Sequence, residues 1–442
     1  MIKFFFPEFL LLIYVIISLI MQRRYEKKLD VSLIFIVAIF ACCFCEETMK
    51  MKFFSHKHSA SLLKIIPLFS GLIISRLMKD EIFKKQILMT CSILGSLMII
   101  SAKDFLQLFF ATELMIIPTY WIVDRNTNGR PYFLCSIVRS TLFAIAIGFI
   151  YLSVKSTNFN DVRYLISFSN DNKNILIALF FIIIAFPIKF AFLRFSSAFE
   201  ISKTKFSLAA IVYCVIYPTL SIVFYKITTN IFYHIKTRWI FLFMGLASIA
   251  SFSAQLLFQN NLRKIITCVL MNYIGTIFLC CAFPCYNSVG GVIFLISSQV
   301  VSLLGIFFLL AMVKKSKFQE IDDIRDLCSL SRKHPFFALS TSILFLSFLG
   351  FPPFLGFFGK FYVCSTIIGQ GLALVIYAIS FISNLICMSK ILDAIWFKKN
   401  NEFFIFDGST ERMIHAFACL TIVAVPLVYK ILQLINTELY FA

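Results

Sequence analysis

The stretch "SFLGFPPFLGFFGKFYVC", residues 347–364, sets two adjacent prolines, three glycines and one lysine inside a long apolar segment. Pro352 and Pro353 each remove a backbone donor and clash with the preceding turn. In lipid the carbonyls freed by such a break must find partners or water within the protein. A helix broken at Pro352–Pro353 therefore marks a polar interior, with two half-helix ends supplying partial charges. Gly350, Gly356 and Gly359 let neighbouring helices come close to the break. Lys360 follows it directly, and a charge at that depth faces a cavity or a partner.

Working outward, apolar runs of the length needed to cross about 30 Å of hydrocarbon recur from end to end. The 442 residues are 60% hydrophobic and 14% charged, with mean hydropathy +0.90. That composition excludes a soluble globular domain. It predicts an all-α integral membrane protein, a single membrane domain over residues 1–442 with about fourteen transmembrane helices. Heavy use of Phe (55 residues) is the compositional mark of an AT-rich genome and points to a mitochondrial gene. No Arg- and Ser-rich leader precedes the first apolar run.

The net charge of +19 is a topology signal. About 25 of the 41 Lys and Arg fall in odd-numbered loops and about 12 in even-numbered loops and the termini. The odd loops are then expected in the matrix or cytoplasm and both termini on the opposite side. The basic residues are scattered without aromatic interleaving, so no nucleic-acid partner is expected. The fourteen cysteines, including Cys42, Cys43 and Cys45, and Cys280, Cys281 and Cys285, lack the ordered spacing of zinc or iron–sulfur loops. They read as small core residues, and no metal is predicted.

Ionisable residues inside spans carry the chemistry. Glu113 in "LFFATELMIIPTYWIV", Lys189 in "IIIAFPIKFAFLRF" and Lys360 are the main candidates. Arg139 is read either as a relay group or as half of a structural ion pair, and Lys64 as a snorkelling residue near a span end. His334 and Glu46–Glu47 lie at span ends, where solvated or subunit-contact roles are expected. Lys189 and Lys360 share surroundings: Phe186–Pro187 precedes one as the Phe-Pro break precedes the other. Counted along the chain they lie on spans seven and twelve. An odd displacement turns similar units upside down, the mark of an inverted repeat with sites in broken helices. The expected layout is three N-terminal helices in 1–80, a first five-helix repeat in 81–230, a second in 235–400 and a last helix in 405–442. Helices seven and twelve are expected to be broken, the first at Pro187.

An amine taken out of water holds its proton less tightly, and a carboxylate brought near tightens the hold. Changing proton affinity a thousandfold corresponds to roughly 4 kcal/mol. Moving a proton against 100 mV costs about 2.3 kcal/mol. The energies are comparable, so a buried lysine with a movable carboxylate partner suffices for proton transfer. Glu113 is the expected partner of Lys189, within about 6 Å; a static ion pair is the alternative.

The run "SFLGFPPFLGFFGKFYV" resembles the signature of the antiporter-like subunit 2 (bacterial subunit N) family of respiratory complex I, NADH:ubiquinone oxidoreductase. "NNLRKIITCVLMNYIGTIFL", with Gly275, "DLCSLSRKHPFFAL" and "DFLQLFFATELMIIPTYWIV" extend the resemblance over about residues 100–390. It implies fourteen helices in two inverted repeats, the antiporter-like fold. It makes Glu113, Lys189 and Lys360 the proton relay of a subunit with no redox centre. NADH, FMN, iron–sulfur clusters and ubiquinone are then expected on other subunits. Implied partners are the adjacent antiporter-like subunit 4, the small core membrane subunits and phospholipids, in the mitochondrial inner membrane or a bacterial plasma membrane. The chain departs from the family on span eight, which has no basic residue where the family carries a lysine or histidine. Thr219 takes that position. Tyr217, Thr219 and water, or Lys226 reaching inward, are the groups left to bridge it. A Na⁺/H⁺ antiporter component and a proton-inert scaffold of the membrane arm are the competing readings.

Overall fold

A computed structural model describes residues 6–24, 31–43, 49–50, 55–56, 58–78, 83–122, 129–168, 173–195, 206–232, 238–312, 314–315, 323–328, 330–398, 404–405 and 408–440, with side chains such as those of 187–195 outside that description. The chain divides into two compact units, Met1–Ile235 with Thr437–Ala442, and Lys236–Asn436.

The first unit contains α1 (Phe6–Arg24), α2 (Val31–Cys43), α3 (His58–Leu77), α4 (Phe83–Ser101), α5 (Phe105–Ile122), α6 (Gly129–Val154), α7 (Phe159–Phe168), α8 (Lys173–Phe195), α9 (Phe206–Ile211) and α10 (Tyr217–Asn230). Lipid offers the backbone no partners, so apolar segments close their hydrogen bonds internally as helices. A π-helical turn, Val212–Ile216, joins α9 to α10. Pro218 lies two residues beyond it, within the first turn of α10. Because proline lacks an N–H, the ladder is already interrupted there, and a π turn absorbs the misfit. By contrast α8 runs as one element through Pro187. The break expected at that proline is not seen; a single proline costs one hydrogen bond, which a helix packed along α6 tolerates. The short helix α7 was not foreseen.

The second unit contains α11 (Arg238–Phe258), α12 (Leu262–Ala282), α13 (Tyr286–Met312), α14 (Leu330–Lys333), α15 (Pro335–Leu349), α16 (Leu355–Ile367), α17 (Gly371–Leu392) and α18 (Gly408–Tyr440). Asn261 caps α12 by accepting from the backbone N–H of Arg263 at 3.0 Å and Lys264 at 3.3 Å. Pro335 opens α15, where its missing donor costs nothing. Two-residue ladders close some connections: β1 (Met49–Lys50) on β2 (Ser55–His56), and β3 (Lys314–Lys315) on β4 (Phe404–Ile405).

Nine helical stretches among the described residues are long and apolar enough to cross a membrane, and shorter apolar helices include α15 and α16. The β3–β4 pairing shows how to count those two. It brings residue 405 back to the level of residue 314, and α17 alone is a full crossing. An even number of crossings is required, so α15 and α16 together form one interrupted span. The break expected at Pro352–Pro353 is present, with residues 350–354 between the two halves.

Candidate functional site

In the second unit, the end of α15 has to satisfy its last four carbonyls, which have no helical partner. Gly350 adopts φ 81°, the left-handed conformation that closes a helix, and its N–H donates to Leu346 O at 3.0 Å and Ser347 O at 3.2 Å. Phe351 N–H adds a 2.9 Å bond to Leu346 O. The Tyr273 hydroxyl donates to the Phe348 carbonyl. Lys360 Nζ donates to the Leu349 carbonyl at 2.5 Å. All four carbonyls are therefore taken, the last by an ammonium. The negative end of the α15 dipole faces that charge, and the Phe381 ring lies 5.4 Å from it. Lys360 is only 7% exposed, and among the described residues no carboxylate pairs with it.

The glycines set this geometry. A Cβ on Gly350 would lie 2.7 Å from Lys360 Cε, and one on Gly356 would lie 2.1 Å from Ser347 O. Along α13, Gly291 packs on Val363, Leu295 on Gly359, and Gly305 on Leu344. Both registers run antiparallel and converge on the break, which puts Gln299 level with it. Gln299 is fully buried and neither amide atom has a partner among the described residues. Ser347 Oγ and, on α17 one turn from Phe381, Asn384 Oδ1 are equally buried and unpartnered. Tyr377 donates to the Lys360 carbonyl at 3.3 Å. Sequence reading found Lys360 but missed Tyr273, Gln299, Tyr377 and Asn384. The available signal was a lone amide inside otherwise apolar helices, as in "FLISSQVVSLL".

In the first unit, Glu113 on α5 and Arg139 on α6 form an ion pair, with side chains 22% and 5% exposed. Ser140 donates to the same carboxylate oxygen at 2.6 Å, and Arg139 reaches Thr112 Oγ1 at 3.3 Å. The expected relay candidate Arg139 is thus the described partner of Glu113, a role assigned in sequence to Lys189. Lys189 lies on α8 and its side chain is outside the described residues. Tyr217 and Thr219 are buried, and Thr219 Oγ1 donates to Val215 O within the preceding π turn. Lys226 is half-buried on α10. Lys64 does not snorkel: it is 2% exposed and 2.5 Å from Glu8 Oε1 on α1, which keeps the amine inside. His334 occupies the position before the first residue of α15, half-exposed; Glu46 and Glu47 lie outside the described residues.

The sequence profile of the family described as NADH:quinone oxidoreductase/Mrp antiporter, TM, matches residues 102–386. NADH-quinone oxidoreductase subunit N of Pelagibacter ubique is 26% identical over 368 residues, covering 78% of this chain and 76% of that protein. A chain of respiratory complex I from Thermus thermophilus superposes with TM-score 0.81 at 14% identity, over 97% of this chain and 98% of its own. A chain of the Mrp complex from Dietzia sp. DQ12-45-1b gives TM-score 0.78 at 14% identity, over 98% and 96%.

Proposed function

We propose, from the premise that this chain belongs to the NADH:quinone oxidoreductase/Mrp antiporter transmembrane family, that it is a proton-translocating subunit of the membrane arm of an NADH:quinone oxidoreductase. Within that arm it moves protons through Glu113, Lys189 and Lys360, coupled to quinone reduction elsewhere in the complex. The observation that carries the reading is Lys360. A buried ammonium held by a helix-terminal carbonyl and an aromatic face, with no carboxylate partner among the described residues, is costly unless its charge is used. The naming of similar proteins as subunit N supports the choice of complex. NADH, FMN and iron–sulfur clusters belong in this reading to other subunits, and the other antiporter-like and small membrane subunits are its neighbours. Its site is the mitochondrial inner membrane or a bacterial plasma membrane, with about fourteen crossings and both termini opposite the basic loops.

The test is the proton-to-electron ratio of the assembled complex reconstituted in vesicles. Lys360→Ala and Glu113→Gln are expected to lower it while NADH oxidation continues. An unchanged ratio with intact assembly would leave only a scaffold. The likeness to an Mrp complex chain favours a second reading, a component of a multisubunit Na⁺/H⁺ antiporter. It predicts proton flux driven by a Na⁺ gradient without any electron donor, which the same vesicles measure.

A further inference from the structure

On α18 of the second unit, about two turns from the helix start, His415 joins two groups of opposite exposure. Its Nδ1 lies 2.5 Å from Ser340 Oγ on α15, and its Nε2 lies 3.6 Å from Glu411 Oε1, four residues back on α18. Ser340 is 5% exposed, whereas the His415 and Glu411 side chains keep 33% and 36% of their surface. The imidazole therefore connects a carboxylate at the helix start to a hydroxyl in the interior. A plain interhelical clamp does not need that gradient. α15 and α13 bring no charged side chain to this point. Glu411 and Arg412 on α18, Asp407 ahead of it, and Arg332, Lys333 and His334 ahead of α15 are the titratable or charged groups nearby in the chain.

Further along α15, Leu344 and Phe417, both buried, close over Gly305 of α13; a Cβ there would meet them at 2.8 and 3.1 Å. Phe417 also packs on Phe308. Beyond this apolar plug come the Ser347 hydroxyl and Gln299 amide, without partners among the described residues, then the Leu349 carbonyl that holds Lys360. The order along α15 is thus polar station, apolar plug, buried polar cluster. Ser340 and Ser347 are seven residues, about 10 Å, apart on one face, a gap that water molecules can bridge once the plug parts.

We propose that Glu411, His415 and Ser340 form a proton-loading station for Lys360, gated by Leu344 and Phe417. Resting on the proton-carrying role of Lys360 given above, the station opens on the side of the basic loops, from which both α15 and α18 emerge. A proton arrives at Nε2 from Glu411 or water. The ring releases its Nδ1 proton to Ser340 Oγ while the serine's own hydroxyl hydrogen, donated at rest to Phe336 O at 3.1 Å, passes through water in the opened gap to a Lys360 amine that has given up its proton. The imidazole is left neutral in its other tautomer, and charge has advanced by one proton. Histidine suits the position because its two distinct ring nitrogens let a proton enter at one and leave at the other.

The test is the pH profile of the proton-to-electron ratio in vesicles holding the assembled complex. His415→Gln keeps an amide able to bond Ser340 but cannot titrate. It is expected to bring the ratio down to that of Lys360→Ala and to flatten its variation across the histidine range. Ser340→Ala should do the same. Leu344→Ala, which thins the plug, should speed passive collapse of an imposed pH gradient several-fold, and adding His415→Gln should reverse that. If Lys360→Ala lowers the ratio while His415→Gln and Ser340→Ala retain the native ratio and pH profile, the station is overturned and the role of Lys360 stands. If Lys360→Ala itself pumps normally, both fall.

Discussion

At Gly350 two requirements meet in one residue. Its φ of 81° lets the Phe351 and Gly350 N–H groups turn back onto α15, and its lack of a side chain leaves room for the Lys360 stem. Gly350→Ala is therefore expected to cost at least about 1–2 kcal/mol for the left-handed backbone. It also pushes Lys360 Nζ off the Leu349 carbonyl. Thermal unfolding of the purified complex reads the first effect, and the proton-to-electron ratio reads the second. A change in stability with pumping intact would mean that the ammonium tolerates a displaced position. Lys360 was legible in sequence because a lysine after a Pro-Pro break has no bland explanation in lipid. The Arg139 contact of Glu113 was not: the sequence reading gave Glu113 to Lys189, whose side chain lies outside the described residues, and only the packing of α5 against α6 brings Arg139 to it. Gln299 and Asn384 escaped because an uncharged amide in an apolar helix announces itself only when its buried atoms prove to be unpartnered.

Helices are held here partly by single polar contacts, and the clearest joins α1 to α3. Lys64 and Glu8 are both buried, and Glu8 Oε2 has no partner among the described residues. Removing one charge strands the other: Glu8→Gln or Lys64→Met alone should destabilise by about 3–5 kcal/mol. The double variant Glu8→Leu with Lys64→Met should come back near the native value, since apolar replacement of a whole buried pair is often neutral. Protease resistance of α1–α3 checks both. Between α4 and α5 lies a pH-dependent corner outside the membrane. Asp104, bridged to Asn158, has its carboxyl pushed above the ordinary 3.8 by burial and then by Asp161, with Lys103 opposing. A raised carboxyl pKa means that the folded chain binds the proton more tightly than the unfolded one. Stability at this corner therefore rises as pH falls from the raised value towards 3.8, and the cost is fully present above the raised value. Asp104→Asn should raise the thermal midpoint at neutral pH and lose that advantage near pH 4. A constant gain at every pH would show that charge is not the cause. The long helices were readable from apolar run length. The π turn before Pro218 and the short α7 were not, since neither changes that pattern.

Across the molecule, the pairings between connections fix which of them share a side. Asp104 bridges Asn158 across α5 and α6 in the first unit. In the second, Asn261 bridges Asp323 across α12 and α13, and Lys314 pairs with Ile405 across the interrupted span and α17. Each pairing spans two crossings, as a strictly alternating chain requires. The charge follows: the side of Asp323 and Ile405 carries Lys314, Lys315, Arg325, Arg332, Lys333 and Lys398, whereas the opposite connections 283–285 and 368–370 have no Lys or Arg. The positive-inside rule then assigns Cys285, exposed between α12 and α13, to the face away from the matrix or cytoplasm. A membrane-impermeant maleimide added to vesicles of native orientation should label Cys285, and Cys285→Ser should remove that signal while other cysteines serve as the background. Inverted vesicles should leave Cys285 unlabelled until detergent is added. Labelling only in inverted vesicles would reverse the orientation of the second unit. It would also place the Glu411–His415 end of α18 on the outer face, so that the direction of proton entry follows from the same measurement.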